Sequence, residues 1–468
     1  MSSRLLAEPA ELTALAVGLG PARAAFEEIV GREHVIRDRD VVASYESDWT
    51  GRFVGHCEAV IRPGSYDEVS AIVALCSRAG IALTLQGGNT GLVGGSVPLH
   101  GEVVLSMRRL DDIGDVDPVA GQVTAGCGAT VGDVQRAAAA AGWSYGVDLS
   151  SRDSATIGGT IATNAGGLRA VHFGHTRAQV AGIEAVLGNG LLVSHLGGLW
   201  KDNTGYDFAS LLCGSEGTLG VVTAARLRLV TPAAERAVVL LAFDDVASAV
   251  VAAGGLRRYL TLLEAVELFL QSGLDLVCSA SSVDPPFPDR HAAYVLVEAA
   301  GASDPTDDLA AAVESIEGVA GVAIASSPSR RAALWHYREA HTESIATIGV
   351  AHKMDVSVPL DLIAELVARV PGVVEAIAPG AQTWLWGHAA DGNIHVNVTG
   401  LAGDDDAVDG AVLELVASLG GSISAEHGIG TAKRRWLSLN RSPAEIEAMR
   451  AIKRALDPAG ILNPNVLL

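Results

Sequence analysis

The chain has few cysteines, and no two of them are close together. Cys57, Cys76, Cys127, Cys213 and Cys278 include no C-x-x-C pair. That spacing excludes an iron–sulfur cluster. An odd, scattered set reads as buried thiols in a reducing compartment, so the expected location is the cytoplasm. Although 49% of the residues are hydrophobic, no run reaches the roughly 18–20 uninterrupted apolar residues of a membrane span. The first thirty residues carry Glu8, Glu11, Glu27 and Glu28 and lack a charged start followed by an apolar block, so no signal peptide is expected. Basic residues are also in short supply: 33 Lys and Arg against 54 Asp and Glu leave a net charge of −21. That balance, spread along the chain, argues against nucleic acid as a partner, and an anionic substrate would need a local basic pocket.

Two nucleotide signatures are missing as well. No Gly-Lys-Ser/Thr of a triphosphate loop is present. QGGNTGLVGGSVP (86–98) holds five glycines, Gly87 to Gly95, but it lies between two strand-like runs, IALTLQ and GEVVLSM. A dinucleotide fingerprint needs a helix to open after its glycines. GCGATVG (126–132) has helix-like residues behind it, but its last gap is one residue too long. What remains is a strand–glycine loop–strand arrangement whose bare amides could line an anion, with a long unliganded turn as the alternative. A second glycine-rich block, SRDSATIGGTIATNAGG, spans 151–167, and a third, GSEGTLG, spans 214–220 ahead of VVTAARLRLV. Three such loops, each feeding short strands, suggest one extended phosphate-bearing cofactor wrapped by backbone.

At 468 residues the chain is long enough for two or three domains. Pro232 and the run VVLLAF after it mark a boundary near residue 231. Residues 57–63 read as a strand, and Ser65 to Glu68 as a capping box opening a helix that ends near Gly80. Between 231 and 425, helices near 243–258, 304–316 and 360–369 alternate with strands near 236–242, 292–298 and 383–388. That order predicts an α+β sandwich with sheet on one side and helices on the other. A last helix opens at the Ser442–Glu445 capping box.

Residues 384–398, WLWGHAADGNIHVNV, place a tight-turn signal, Asp391-Gly392-Asn393, between two apolar arms. The alternation puts His395 and Asn397 on one strand face, and a hairpin there would bring His388 alongside His395. The pair reads either as metal ligands or as a hydrogen-bonded structural pair.

Six blocks, QGGNTGLVGGSVP, SATIGGTIATNAGGLR, WKDNTGYDFASLLCGSEGTLGVVT, HAADGNIHVNV, SAEHGIGTAKR and LDPAGILNP, together resemble the FAD-dependent 2-hydroxy-acid dehydrogenases of the vanillyl-alcohol oxidase superfamily. Within that family the look is nearest to the D-2-hydroxyglutarate branch, and D-lactate and glycolate dehydrogenases share most of the blocks. The resemblance covers roughly residues 40–468. It implies a two-part FAD-binding domain, residues 1–230 with 426–468 returning to it, and an α+β substrate cap, 231–425. It also implies cofactor contacts at Gln86, Gly87, Gly88, Asn89, Thr90, Gly91 and Leu92, at Ser154, Gly158, Gly159, Thr163, Asn164 and Gly167, and at Glu216, Val221 and Asn463. Asn89 stands where some relatives carry a flavin-linking histidine, so the FAD is expected to be non-covalent.

Beside the resemblance, Glu426 becomes a third ligand to His388 and His395. Two imidazoles and a carboxylate leave coordination positions open, as at a catalytic site. Zinc is the first expectation, and iron or manganese would accept the same donors. His427 is the candidate general base. It shares a site with Glu426 only if the backbone turns, which Gly428 allows; a plain glycine-rich turn capped by the two is the alternative. Arg338 and Thr342 share a helix face, and Lys353 follows in a strand-like run. A solvated helix face is their alternative, but the family carries substrate-binding Arg, Thr and Lys with this spacing. Three such groups beyond a metal suit a second carboxylate, hence D-2-hydroxyglutarate or D-malate, with Asn397 completing the substrate shell. His172 and His175 are expected to satisfy backbone, and His336, His341 and His352 receive no role. The family suggests an electron-transfer flavoprotein or a quinone-linked carrier as acceptor, and a homodimer stays open. Rival readings are a D-lactate or glycolate dehydrogenase, a non-catalytic flavoprotein subunit of an electron-transfer complex, and a redox-neutral flavin transferase.

Overall fold

The structure is a computed structural model describing residues 20–260, 263–403 and 405–468. Glu8 and Glu11, on which the reading of the N-terminus rests, lie outside the described residues. The strands fall into three sheets. The first contains β1 (Val35–Ile36), β2 (Val60–Ile61), β3 (Leu83–Gln86) and β4 (Val103–Ser106) in the order β1-β2-β4-β3. Strands β2, β4 and β3 run parallel. The crossover from β2 to β3 is the helix Tyr66–Ala79. Ser65 Oγ accepts from the Glu68 amide at 3.2 Å, but Glu68 Oε2 accepts from the Gly64 amide rather than from Ser65, so the expected box closes one residue early. Gly80 ends the helix in the left-handed region. The return from β3 to β4 has no helix. The first glycine block makes it alone, and its amides stay outside any helix ladder.

The second sheet is antiparallel: β5 (Gln122–Gly126), β6 (Val180–Leu187), β7 (Leu192–His195) and β8 (Gly220–Arg228) in the order β5-β8-β6-β7. The second glycine block, expected as a loop, instead contains a short helix, Ile157–Thr163. Its cap is Thr156, whose hydroxyl accepts from Gly159 N at 3.3 Å. Small residues let this helix pack close to its neighbours: a Cβ on Gly158 would stand 2.8 Å from the Cys127 Cβ.

The third sheet holds β9 (Glu235–Phe243), β10 (Leu263–Leu270), β11 (Ala293–Gly301), β12 (Val319–Ala325), β13 (Ala351–Ser357), β14 (Gln382–His388) and β15 (Asn393–Thr399). All its pairings are antiparallel, in the order β12-β9-β11-β10-β14-β15-β13. One face packs against helices Val246–Tyr259, Thr306–Glu314, Ile363–Ile377 and Ala407–Ser418. The expected two layers are an undercount. The other face buries Val238, Leu240, Phe269, Tyr294 and Trp386 beneath segments from helices Gln271–Ser281, Pro328–Glu339 and His341–Ala346. Burial on both faces explains why β9 reads AVVLLAF without alternation.

Two features join the parts. Arg169, just after the second glycine block, lies 3.2 Å from Asp148 Oδ2 and also binds Glu264 on β10 and Glu298 on β11, which Arg236 of β9 shares. The last residues run beside β3: Leu83 N donates to Ile461 O at 2.8 Å and Asn463 N to Leu83 O at 2.9 Å. The helix before them, Pro443–Leu456, carries the complete Ser442–Glu445 capping box. Among the described residues no helix is long and apolar enough to cross a membrane.

Candidate active site

The β14–β15 hairpin forms where expected, with Gly392 at a φ of +84° in its turn. A Cβ there would stand 2.3 Å from the Val358 carbonyl, so only glycine fits. The register pairs His388 with Asn393 and His395 with Trp386, so the two histidines are diagonal rather than direct neighbours. Their rings sit edge to face, 5.3 Å apart.

The segment 424–428 closes on them. Glu426 Oε1 lies 3.6 Å from His388 Nε2, 4.0 Å from His395 Nε2 and 3.9 Å from His427 Nε2. Those separations are too long for hydrogen bonds. The 3.6 Å separation from His388 is close to the ~3.4 Å ligand-to-ligand edge of a tetrahedron with ~2.1 Å bonds, and two imidazoles with a carboxylate are a donor set that suits a divalent cation. Glu426 and His427 face one site because the chain turns at Gly428, φ +85°, and because Asp355 clamps it. Asp355 Oδ2 accepts from the amides of Glu426 at 2.7 Å and His427 at 2.8 Å, while Oδ1 accepts from Asn393 Nδ2 at 2.7 Å. Asp355, His395, Glu426 and His427 also offer donor atoms within 4.8 Å of one another. Asp355 already accepts three hydrogen bonds and has His395 Nδ1 3.3 Å from Oδ1, so it buttresses the segment that carries Glu426 and His427.

A cavity of about 530 Å³ connects this cluster to the glycine blocks. Its wall includes Arg338, Thr342, Lys353 and Asn397 together with His388, His395, Glu426 and His427. It also includes every residue from Gln86 to Leu92, then Ser154, Gly158, Gly159, Thr163 and Gly167, then Glu216, Val221 and Asn463. Of the residues expected at the site, only Asn164 is absent from this wall. It caps the short helix in the left-handed region and accepts from the Arg177 amide through Oδ1 at 2.9 Å. Asn89, Asn164 and Glu216, one in each glycine block, are non-glycine residues at φ +52° to +56°, a conformation held only where the surroundings demand it. The loops interlock tightly: a Cβ on Gly88 would meet the Ser154 carbonyl at 2.0 Å.

Two family models cover most of the chain: "FAD binding domain" matches residues 57–195, and "FAD linked oxidases, C-terminal domain" matches residues 232–467. The chain belongs to the FAD-linked oxidases. It is 38% identical over 439 residues to a D-2-hydroxyglutarate dehydrogenase of Xanthomonas citri pv. viticola, covering 90% of this chain and 92% of that one. With the mitochondrial D-2-hydroxyglutarate dehydrogenase of Arabidopsis thaliana it shares 34% over 454 residues, 95% and 80% of the two chains. The solved structure of p-cresol methylhydroxylase with substrate bound superposes with a TM-score of 0.76 at 16% identity, covering 96% of each chain. That likeness shows the vanillyl-alcohol oxidase fold, a two-part FAD-binding domain with mixed helix and sheet.

In this FAD-linked oxidase two side chains of the glycine blocks are used by the protein itself. Asn89 Nδ2 donates to Ser47 O at 2.8 Å and its Oδ1 accepts from Ser96 Oγ at 2.9 Å. The Glu216 carboxylate accepts from the amides of Ile429 at 2.8 Å and Gly430 at 2.6 Å, and burial raises its pKa.

Charges in the oxidase's donor cluster are strongly perturbed. Burial pushes His395 down to about 4 against the pull of Asp355, which keeps a neutral imidazole available as a ligand. Burial opposes charge on His388 too, but the Glu267 and Glu426 carboxylates hold it well above the usual range. Glu426 is held low, against burial, chiefly by His388. Lys353 is pushed down to about 8 by burial alone. Its ammonium pairs with no carboxylate among the described residues and lies 5.4 Å from the Trp49 ring centre.

Three supports have no counterpart in the sequence-based expectations: Glu267, Asp355 and Lys433. Lys433 is buried, pushed down to about 8 by burial, and donates to the Asp355 carbonyl at 3.0 Å. Glu267 stands in the largely apolar run LEAVELFL, whereas Asp355 and Lys433 have charged neighbours in Lys353 and Arg434, so their burial has no local mark. The remaining histidines are mostly structural. His172 Nδ1 lies 3.0 Å from Leu263 O, and His352 is fully buried between Asp409 and Ala402 O.

Proposed function

We propose that this FAD-linked oxidase is an FAD- and metal-dependent D-2-hydroxyacid dehydrogenase that oxidises a D-2-hydroxy dicarboxylate, D-2-hydroxyglutarate or D-malate, to the 2-oxo acid. The observation that carries the substrate is Lys353: a desolvated ammonium without a carboxylate partner, in the same cavity wall as Arg338, Thr342 and the donor cluster. Burying such a charge is costly unless an anion meets it. When bound, non-covalent FAD supplies a hydride acceptor, and a divalent cation, zinc in the first instance, supplies a Lewis acid held by His388, His395 and Glu426.

The chain's own residues set the geometry. Arg338 and Lys353 bind carboxylate, the first as a fork and the second as a point charge. Thr342 and Asn397 fix the substrate's orientation. His427 is the base: its Nδ1 is buried 4.0 Å from Asp355 Oδ2, so the hydroxyl proton is taken at Nε2. Five free thiols, four of them buried, fit a reducing compartment, and the cytoplasm is the proposed location. Electrons would leave to an electron-transfer flavoprotein or a quinone-linked carrier. The test is anaerobic: D-2-hydroxyglutarate should bleach the oxidised flavin band, and a chelator should abolish the bleaching until metal is restored. Bleaching by D-lactate or glycolate alone would discard the dicarboxylate, and no bleaching by any hydroxy acid would discard the activity.

A further inference from the structure

Glu267 lies in β10, inside the apolar run LEAVELFL, and is 0% exposed. A fully buried carboxylate in a strand is costly without partners, and Glu267 has two, one on each oxygen. Strand β10 pairs with β14 so that Glu267 and His388 stand directly opposite each other. Oε1 lies 2.7 Å from His388 Nδ1, and Oε2 accepts from Arg338 Nε at 2.7 Å. An ionised carboxylate only accepts hydrogen bonds, so the ring proton of His388 sits on Nδ1. That leaves Nε2, which faces Glu426 Oε1 3.6 Å away, as the nitrogen that can ligate a metal. On the other side Glu267 occupies only Nε of Arg338, which leaves the terminal nitrogens for a substrate carboxylate.

We propose that Glu267 is a positioning residue acting on two groups at once. Its first oxygen fixes the tautomer in which His388 can ligate a metal, and its second aims the Arg338 fork into the substrate cavity. The inference rests on the metal-dependent reading above and deepens it. One carboxylate thereby links the group that would hold the metal to the group that would hold the acid. The arrangement is the general carboxylate–histidine–metal support, here with a substrate arginine on its other oxygen.

Glu267→Gln is the informative change, because an amide offers one acceptor and one donor end. Arg338 Nε can only donate, so the amide oxygen must turn toward it. The amide NH₂ then faces His388 Nδ1, which can accept only by moving its proton to Nε2, the ligating atom. The expected result is metal binding weaker by about 10–100-fold, read by chelator competition on purified protein, with flavin content unchanged. KM for D-2-hydroxyglutarate should rise in metal-saturated protein. Wild-type metal affinity in Glu267→Gln would overturn the proposal and leave the metal reading standing. Equal, negligible metal content in wild type and in His395→Ala would overturn both. Should Glu267→Gln fail to fold, ¹⁵N-histidine-labelled wild-type protein decides. The His388 resonances, assigned by their loss in His388→Asn, should report a proton on Nδ1, and a proton on Nε2 alone would refute the inference.

Discussion

Lys353→Met keeps most of the aliphatic stem and removes the ammonium, so it isolates what that charge does. Burial moves Lys353 from 10.5 to about 8, which at 1.36 kcal/mol per tenfold corresponds to roughly 3 kcal/mol of unsatisfied charge. A second substrate carboxylate would offset part of that, and a hydrogen bond to a charged group contributes about 1.5–3 kcal/mol. The expected loss in kcat/KM for D-2-hydroxyglutarate is therefore between about 10-fold and 150-fold, whereas D-lactate, with nothing to place there, should lose less than about 3-fold. Dye-linked steady-state kinetics with both substrates measures it. Equal losses, or none, would refute the dicarboxylate pocket. The pH dependence has a fixed sign. In the free enzyme the ammonium discharges as pH rises through about 8, so wild-type kcat/KM for the dicarboxylate should fall above that pH and the Met variant should not follow. Stability moves the other way. The unfolded chain holds this proton up to about 10.5, so between about 8 and 10.5 it binds more protons than the folded one, and folding stability rises with pH across that window. Lys353→Met should accordingly unfold at higher temperature than wild type at pH 7, with the difference shrinking as pH rises toward 10.5.

His427→Asn should lower kcat by about 10²–10⁴-fold while flavin and metal content stay unchanged; loss of either cofactor would make it a structural residue. Gly88→Ala drives a Cβ to within 2.0 Å of the Ser154 carbonyl, and the purified protein should lack the flavin absorbance near 450 nm, a result that a normal spectrum would contradict. Asp355→Asn weakens the clamp on the Glu426 and His427 amides, and metal binding measured by chelator competition should fall by about 10–100-fold.

How far the sequence can be read follows from the range of the interactions. The glycine blocks are legible because their signature is local: a strand before, no helix after, and so bare amides. The hairpin is legible because Asp391-Gly392-Asn393 sits between two apolar arms. Its register is not, since alternation identifies faces but does not decide whether His388 meets His395 or Asn393. Glu267 and Asp355 escape for a different reason. Their partners lie 121 residues away at His388 and about seventy at Glu426, and nothing local states that β10 lies beside β14. The second glycine block reads as loop because its glycines conceal a seven-residue helix whose start is marked only by Thr156.

The segment beside β3 has a consequence for how the protein is made. Ile461 and Leu462 belong to the first sheet's core, Asn463 holds Leu85 N and Glu216 O, and Asn465 binds Glu102. All of these contact residues synthesised hundreds of positions earlier. Translation proceeds at about 5–20 residues per second with earlier parts folding first, so β3 and the first glycine loop spend most of synthesis without their final strand partner. The cradle is completed only once residues 461–465 clear the ribosome. Flavin loading is therefore expected to wait for residues 461–465, and ribosome-bound chains stalled before residue 460 should emerge without flavin.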